Sequence, residues 1–144
     1  MTKRRPRIPY DLIGSRETGA VAVIEVPEGM DSIEAAKEIM RRHPHVKSVL
    51  LKVGTREGDF RVRPLRLLVG SEDTEVIHKE HGYRIKLDPR YVYFSPREAT
   101  ERQLIAEQVR DGEFVLVMFA GVGPYAIAIA KRKDAQVVGI ELNP

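Results

Sequence analysis

Phe114-Val-Leu-Val-Met-Phe-Ala-Gly-Val-Gly123, then Pro124-Tyr-Ala126, then a second apolar run Val137-Val-Gly-Ile-Glu141, is the stretch that decides the fold. An apolar, β-branched run breaks into a small-residue turn, resumes as a helix-like segment, and returns as a second apolar run closed by an acid. The order strand, glycine turn, helix, strand, acid opens a nucleotide-binding α/β domain. Gly121-Val-Gly123-Pro-Tyr-Ala126 fits Gly-x-Gly-x-x-Gly/Ala. Small residues let the backbone turn tightly and approach a ligand, and the next helix offers its N-terminal amides. Glu141 follows Gly121 by 20 residues, at the end of the second strand. A carboxylate there can accept both ribose hydroxyls of an adenosine ligand.

Working outward, the 144-residue chain has room for one domain or two small ones. Ala20-Val-Ala-Val-Ile-Glu-Val26 reads as a buried strand ended by Pro27. Asp31 or Ser32 caps a helix whose stripe is Ile33, Ala36, Ile39 and Met40, stopped by Pro44. Val46–Val53 is a further strand. Arg61-Val-Arg-Pro-Leu-Arg-Leu-Leu-Val69 alternates basic and apolar residues, so Arg61, Arg63 and Arg66 share one side of a strand that Pro64 confines to an edge or bulge. Glu75–Lys79 and Tyr83–Leu87 flank Glu80-His-Gly82, a hairpin signal. Ser95-Pro96 opens a helix to about Val109 with Leu104, Ile105 and Val109 as its apolar face. The expectation is an α/β protein: residues 1–88 form a small mixed α/β domain, and residues 89–144 form the first βαβ unit of a Rossmann-like domain.

Composition narrows the chemistry. The absence of cysteine excludes disulfides and thiolate chemistry, and the four histidines form no metal-ligand pattern. The longest apolar run, Phe114–Ala120, is far short of a membrane span, and no secretory h-region follows the basic start, so a cytoplasmic protein is expected. One Asn and three Gln against many Lys, Arg and Glu suit a hot environment. A net charge of +3 with clusters at Lys3–Arg7, Arg41-Arg42 and Arg61–Arg66 fits a polyanion partner.

The glycine motif and the ribose acid occur both in dinucleotide enzymes and in S-adenosylmethionine (SAM) methyltransferases. Pro124 removes an amide that a pyrophosphate would use, which favours SAM. Tyr91-Val-Tyr-Phe-Ser-Pro-Arg-Glu-Ala-Thr-Glu-Arg102, with Phe119-Ala-Gly-Val-Gly-Pro124 and Glu141-Leu-Asn-Pro144, resembles the archaeal and eukaryotic tRNA (guanine-37-N1) methyltransferase family. The resemblance runs over nearly the whole chain. It implies SAM as methyl donor and tRNA, at guanosine 37 beside the anticodon, as substrate. It implies Glu101 as general base for the guanine N1 proton and Arg61 as the contact to guanine O6, with Arg63 as its competitor. Arg63, Arg97 and Arg102 fall to the substrate, and Tyr93, Phe119, Gly121, Gly123 and Glu141 to the cofactor. The related wybutosine-pathway aminocarboxypropyl transferase is the alternative within the same resemblance. A non-catalytic tRNA-binding remnant and a NAD-type fragment are the alternatives outside it.

Two departures accompany the resemblance. Val117 stands where the family carries an acid that helps hold the methionine end of SAM. The family's Asn-x-Pro loop and the remaining strands of the sheet lie beyond residue 144. A lone βαβ unit leaves a face and its edges unpaired, so residues 113–144 are expected to dock on the small domain or on another copy. The chain alone is expected not to methylate tRNA.

Overall fold

β-Branched residues at Val21, Val23 and Ile24, with alanine between them, make a strand that can be buried on both faces, and it becomes the centre of the main sheet. The computed structural model describes residues 7–54, 58–60 and 62–144. Four strands, β1 (Tyr10–Ser15), β2 (Gly19–Ile24), β3 (Val46–Lys52) and β4 (Leu65–Gly70), lie in the order β1-β2-β3-β4. β1 and β2 are antiparallel, β2 and β3 parallel across helix α1 (Ser32–Arg42), and β3 and β4 antiparallel. Asp31 caps α1 by accepting from the Glu34 amide at 3.0 Å, and the helix ends at His43, before Pro44.

The second half begins with the hairpin β5 (Val76–Glu80) and β6 (Tyr83–Leu87). Its turn places His81 and Gly82 at φ 43° and 85°, the left-handed pair that suits a two-residue hairpin. A 3-10 turn at Pro96–Glu98 leads into α2 (Ala99–Gln108). The parallel pair β7 (Phe114–Met118) and β8 (Gln136–Ile140) is joined by α3 (Pro124–Arg132). These elements match the expected α/β class and the expected βαβ unit.

Two apolar clusters hold the fold. One face of the main sheet packs on α1 through Ala22, Ile24, Val49, Ala36 and Ile39. The other face, Ile13, Val21, Val23 and Leu50, meets Val76, Tyr83, Ile85, Leu87, Phe94, Ala106, Ala128 and Ile129. This second cluster takes residues from both sides of position 88, so the proposed boundary there crosses a shared core. Residues 113–144 dock on that core through Val115, Val117 and Val137. Their opposite face, Phe114, Leu116, Met118, Val138 and Ile140, is exposed.

Three sequence expectations change. The alternating strand from Arg61 begins only at Leu65, because Pro64 breaks the ladder; Arg61 itself lies outside the described residues. β1 was not anticipated at all. On α2 the expected apolar face holds only at its end: Val109, just after the helix, is buried, but Leu104 and Ile105 are exposed, and the buried positions within the helix are Arg102 and Ala106. Arg102 is 1% exposed, buried to the same degree as the apolar core.

Arg102 is tolerated there because its donors are met. Nε and Nη2 reach the two carboxylate oxygens of Glu80 at 2.8 and 2.6 Å, and Nη2 also donates to the Ser95 carbonyl at 3.0 Å. Its guanidinium carbon lies 5.0 Å from the centre of the Phe94 ring, whose centre is 4.8 Å from that of His78. The Tyr83 hydroxyl donates to Glu80, and the Gly14 amide donates to His78 Nδ1 at 3.1 Å. Gly14 has φ 132°, and a Cβ there would lie 2.4 Å from the Gly19 carbonyl oxygen, so no larger residue fits.

Burial pushes the Glu80 pKa up, but hydrogen bonds from Arg102 and Tyr83 outweigh it and hold the carboxyl below its ordinary 4.5. Burial lowers His78 from 6.5, against the pull of Glu80, and pushes the Tyr83 phenol up to about 12. Both depressed groups bind protons more readily in the unfolded chain. Their stabilisation is therefore present above 6.5 for His78 and above 4.5 for Glu80, and is lost as pH falls through each folded value. Thermal melts are expected to show a midpoint that declines below neutral pH and falls further below the ordinary Glu range. Removing one partner strands a buried charge. Arg102→Ala is therefore expected to cost about 3–5 kcal/mol by urea unfolding, and the Glu80→Leu/Arg102→Met double variant far less.

Candidate cofactor and base site

The chain turns from β7 into α3 through Phe119-Ala-Gly-Val-Gly123. Gly123 caps α3 at φ 85°, Gly121 sits at φ 60°, and Pro124 occupies the first turn of the helix, where its missing amide costs nothing. Phe119 also has positive φ, 54°, and is 89% exposed. A bulky residue in that conformation stores strain of about 1–3 kcal/mol, which is common beside ligand sites.

Glu141 comes back to this turn from the end of β8. Its Oε1 accepts from the Gly121 amide at 2.9 Å and its Oε2 from the Asn143 amide at 3.0 Å. These amides, Asn143 first, hold the carboxyl below its ordinary range. The side chain of Asn143 donates to the Tyr91 carbonyl at 2.9 Å, tying the β8 end to the segment before α2. Tyr93, Phe119, Gly121, Val122, Glu141 and Asn143 line a cavity of about 440 Å³, large enough for a nucleoside-sized ligand. All five residues expected at the cofactor except Gly123 line it, and Gly123 caps the helix behind it. The fit to an adenosine ligand is chemical. A carboxylate held at the carboxyl end of β8 suits a ribose diol, and the turn leaves room, since a Cβ on Gly121 would find its nearest atom 3.9 Å away. Val117 faces the core and does not line the cavity.

A second cavity of about 440 Å³ adjoins the first, with Val92 and Tyr93 in the wall of both. Its floor is the main sheet, from Asp11 and Ile13 on β1 through Val23 and Lys52 to Leu65, with Arg63 just ahead of β4. Phe94, Ser95 and Arg97 complete the walls. Arg97 Nε donates to Asp11 Oδ1 at 2.6 Å; Arg63 donates to the Gly54 carbonyl at 3.1 Å and pairs with Glu25 at 3.5 Å. Lys52 pairs with the same Glu25.

Of the residues expected at the substrate, Arg63 and Arg97 come together here. Arg102 does not: its guanidinium is sealed behind Phe94 on Glu80, so it holds the wall in place and cannot reach a ligand. Arg61 lies outside the described residues. Glu101 is exposed in the first turn of α2 and lines neither cavity. Burial, then the Glu101 and Glu98 carboxylates, push the phenol of Tyr125 on α3 up. Asp11, Lys52 and Ser95 were missed by sequence reasoning; a lone Asp in a weak strand gives no signal. A Gly123→Ala change is expected to cost about 1 kcal/mol in thermal denaturation from its left-handed backbone alone, since a Cβ would meet only Ile127 at 3.8 Å.

Residues 76–144 match the family described as the TRM5/TYW2 methyltransferase domain. The tRNA (guanine(37)-N(1))-methyltransferase Trm5b of Pyrococcus abyssi is 42% identical over 94% of this chain and 40% of its own length. Among solved structures, the complex of aTrm5 and tRNALeu superposes with a TM-score of 0.79 at 34% identity, over 94% of this chain and 39% of that one. TYW2 of Pyrococcus horikoshii in complex with MeSAdo superposes with 0.70 at 31% identity, over 94% and 46%. The chain thus spans less than half the length of these relatives. The glycine turn and the Phe-Ser-Pro-Arg segment thus both lie in the part of the chain, residues 76–144, that matches the TRM5/TYW2 methyltransferase domain.

Proposed function

We propose that this chain is the SAM- and guanine-binding part of a tRNA (guanine-37-N1) methyltransferase. The observation that carries the reading is the pair of adjoining cavities with opposite charge. Among the described residues, the charged ones that line the cavity of the glycine turn are acids, Asp59 and Glu141. Its neighbour has Lys52, Arg63 and Arg97, with one acid, Asp11. A sulfonium-bearing nucleoside suits the first and a base on a phosphate backbone suits the second.

SAM, when bound, supplies an electrophilic methyl group. Glu141 takes the ribose hydroxyls and Tyr93 forms the wall it shares with the base. Arg61, or Arg63 as its competitor, donates to guanine O6, where negative charge grows as N1 loses its proton. Glu101 accepts that proton. Arg97, exposed at the rim, meets the backbone phosphate. Two copies are proposed to associate through the open face of β7 and β8. Paired across a two-fold, the five large apolar side chains there approach the roughly 1,200 Å² of a small specific interface.

The half-buried apolar setting of Val117 favours one second reading, a module that binds tRNA without methyl transfer. Calorimetry with SAM separates the two. Under the first reading SAM binds, NAD does not compete, and Glu141→Ala weakens SAM binding about tenfold or more. No SAM binding, with tRNA binding that falls steeply as salt rises, would establish the second. Mass analysis of the modified nucleoside distinguishes a methyl from an aminocarboxypropyl product. For self-association, sedimentation velocity is expected to show a dimer that Leu116→Glu dissociates.

A further inference from the structure

Among the described residues, Asp11 is the one acid that lines the basic cavity, and nothing in the methyl-transfer chemistry above uses it. It stands on β1, opposite Val23 on β2, and on the same face as Ile13. Its side chain is 16% exposed. Arg97 occupies Oδ1, while Oδ2 has no partner among the described residues. Lys52 and Arg63 belong to the β3 and β4 side of the same floor, so donors and acceptor stand at opposite sides of one cavity. Tyr93 and Phe94 supply aromatic wall between them.

A flat ligand that fits this pattern presents acceptors along one edge and donors along another. Guanine does so, with O6 and N7 as acceptors and N1–H and the 2-amino group as donors. Adenine carries an amino group where guanine has O6, and it has no 2-amino group. With O6 turned to the Arg63 side and N1 left to the methyl donor, the 2-amino group is the donor that reaches the β1 side. From this polarity we infer that Asp11 is a specificity-determining residue that accepts a hydrogen bond from the guanine 2-amino group through Oδ2, with Arg97 fixing its orientation. The inference rests on the guanine reading of this cavity and names the contact that distinguishes guanine within it.

Inosine, which is guanosine without the 2-amino group, tests the contact without altering the protein. Binding of the full chain, with SAM present, is measured to two anticodon stem-loop RNAs that differ only in guanosine or inosine at position 37. The guanosine RNA is expected to bind about tenfold tighter, the effect of one hydrogen bond to a charged group. In Asp11→Ala the ratio is expected to fall to about one, with the loss confined to the guanosine RNA. Arg97→Ala is expected to weaken both RNAs while keeping a preference for guanosine. Equal binding of the two RNAs by the unaltered protein overturns the role of Asp11 and leaves the guanine reading standing. A preference that survives Asp11→Ala does the same. Failure to bind either RNA overturns both.

Discussion

The pair between Arg102 and Glu80 is the constraint on which the rest of the site depends. Arg102 comes from the helix that follows the Phe-Ser-Pro-Arg segment, and Glu80 comes from the hairpin packed against the main sheet. Two bonds of 2.6 and 2.8 Å at almost complete burial join these elements. Taking both charges from water is expensive, and the gain over an apolar pair is small. What the pair supplies is register. Nη2 of Arg102 also holds the Ser95 carbonyl, and its guanidinium covers Phe94, so Phe94 and Ser95 are fixed beside the cavities. The exposed bond of Arg97 to Asp11 repeats the link at the surface, where screening makes it worth little by itself.

The β7–β8 pair shows the opposite economy. A parallel pair is usually covered on both faces, because its connections lay helices there. Here the inner face is covered by the shared core and the outer face carries Phe114, Leu116, Met118, Val138 and Ile140 in the open. Even so, the carboxyl ends of these strands already carry a formed turn. Glu141 accepts two backbone amides, and the Asn143 side chain ties the end of β8 to Tyr91. The local geometry of the turn therefore rests on hydrogen bonds within described residues and not on the uncovered face.

The elements that were legible in the sequence are those whose signals are local. Asp31 before an amphipathic stripe, His81-Gly82 between two alternating runs, and the glycine turn between two β-branched runs each carry their own cause. β1 was illegible because Tyr10-Asp-Leu-Ile-Gly-Ser15 owes its strand character to pairing with β2, and its Gly14 to the close approach of Gly19. On α2, Leu104 and Ile105 pointed the wrong way, although Val109 after them is buried as expected. The element packed against that helix offers a carboxylate, and a matched arginine displaced leucine from the core. The cavity of the glycine turn was largely legible because most of its lining, from Phe119 to Pro144, comes from one βαβ unit and the residues just after it. The basic cavity was not, because it draws on all four strands of the main sheet or their flanks and on the 89–97 segment, and only the tertiary fold brings them together.

The sorting of charge between the two cavities follows from this topology. The acids of the cofactor cavity include the strand-end Glu141, where a doubly wound sheet places its ribose ligand. The cations of the other cavity come from β3, the approach to β4 and the turn before α2. The wall at Val92 and Tyr93 is common to both, so ligands in the two cavities would meet across a thickness of one side chain. Transfer of a small group needs reacting atoms about 3–3.5 Å apart, a distance reached only if a ligand passes or displaces that wall. Tyr93 is half exposed and its hydroxyl reaches Glu98 at 3.2 Å, a surface bond that yields more easily than the buried pair behind it. The fixed part of the wall is therefore Phe94, backed by Arg102 and Glu80.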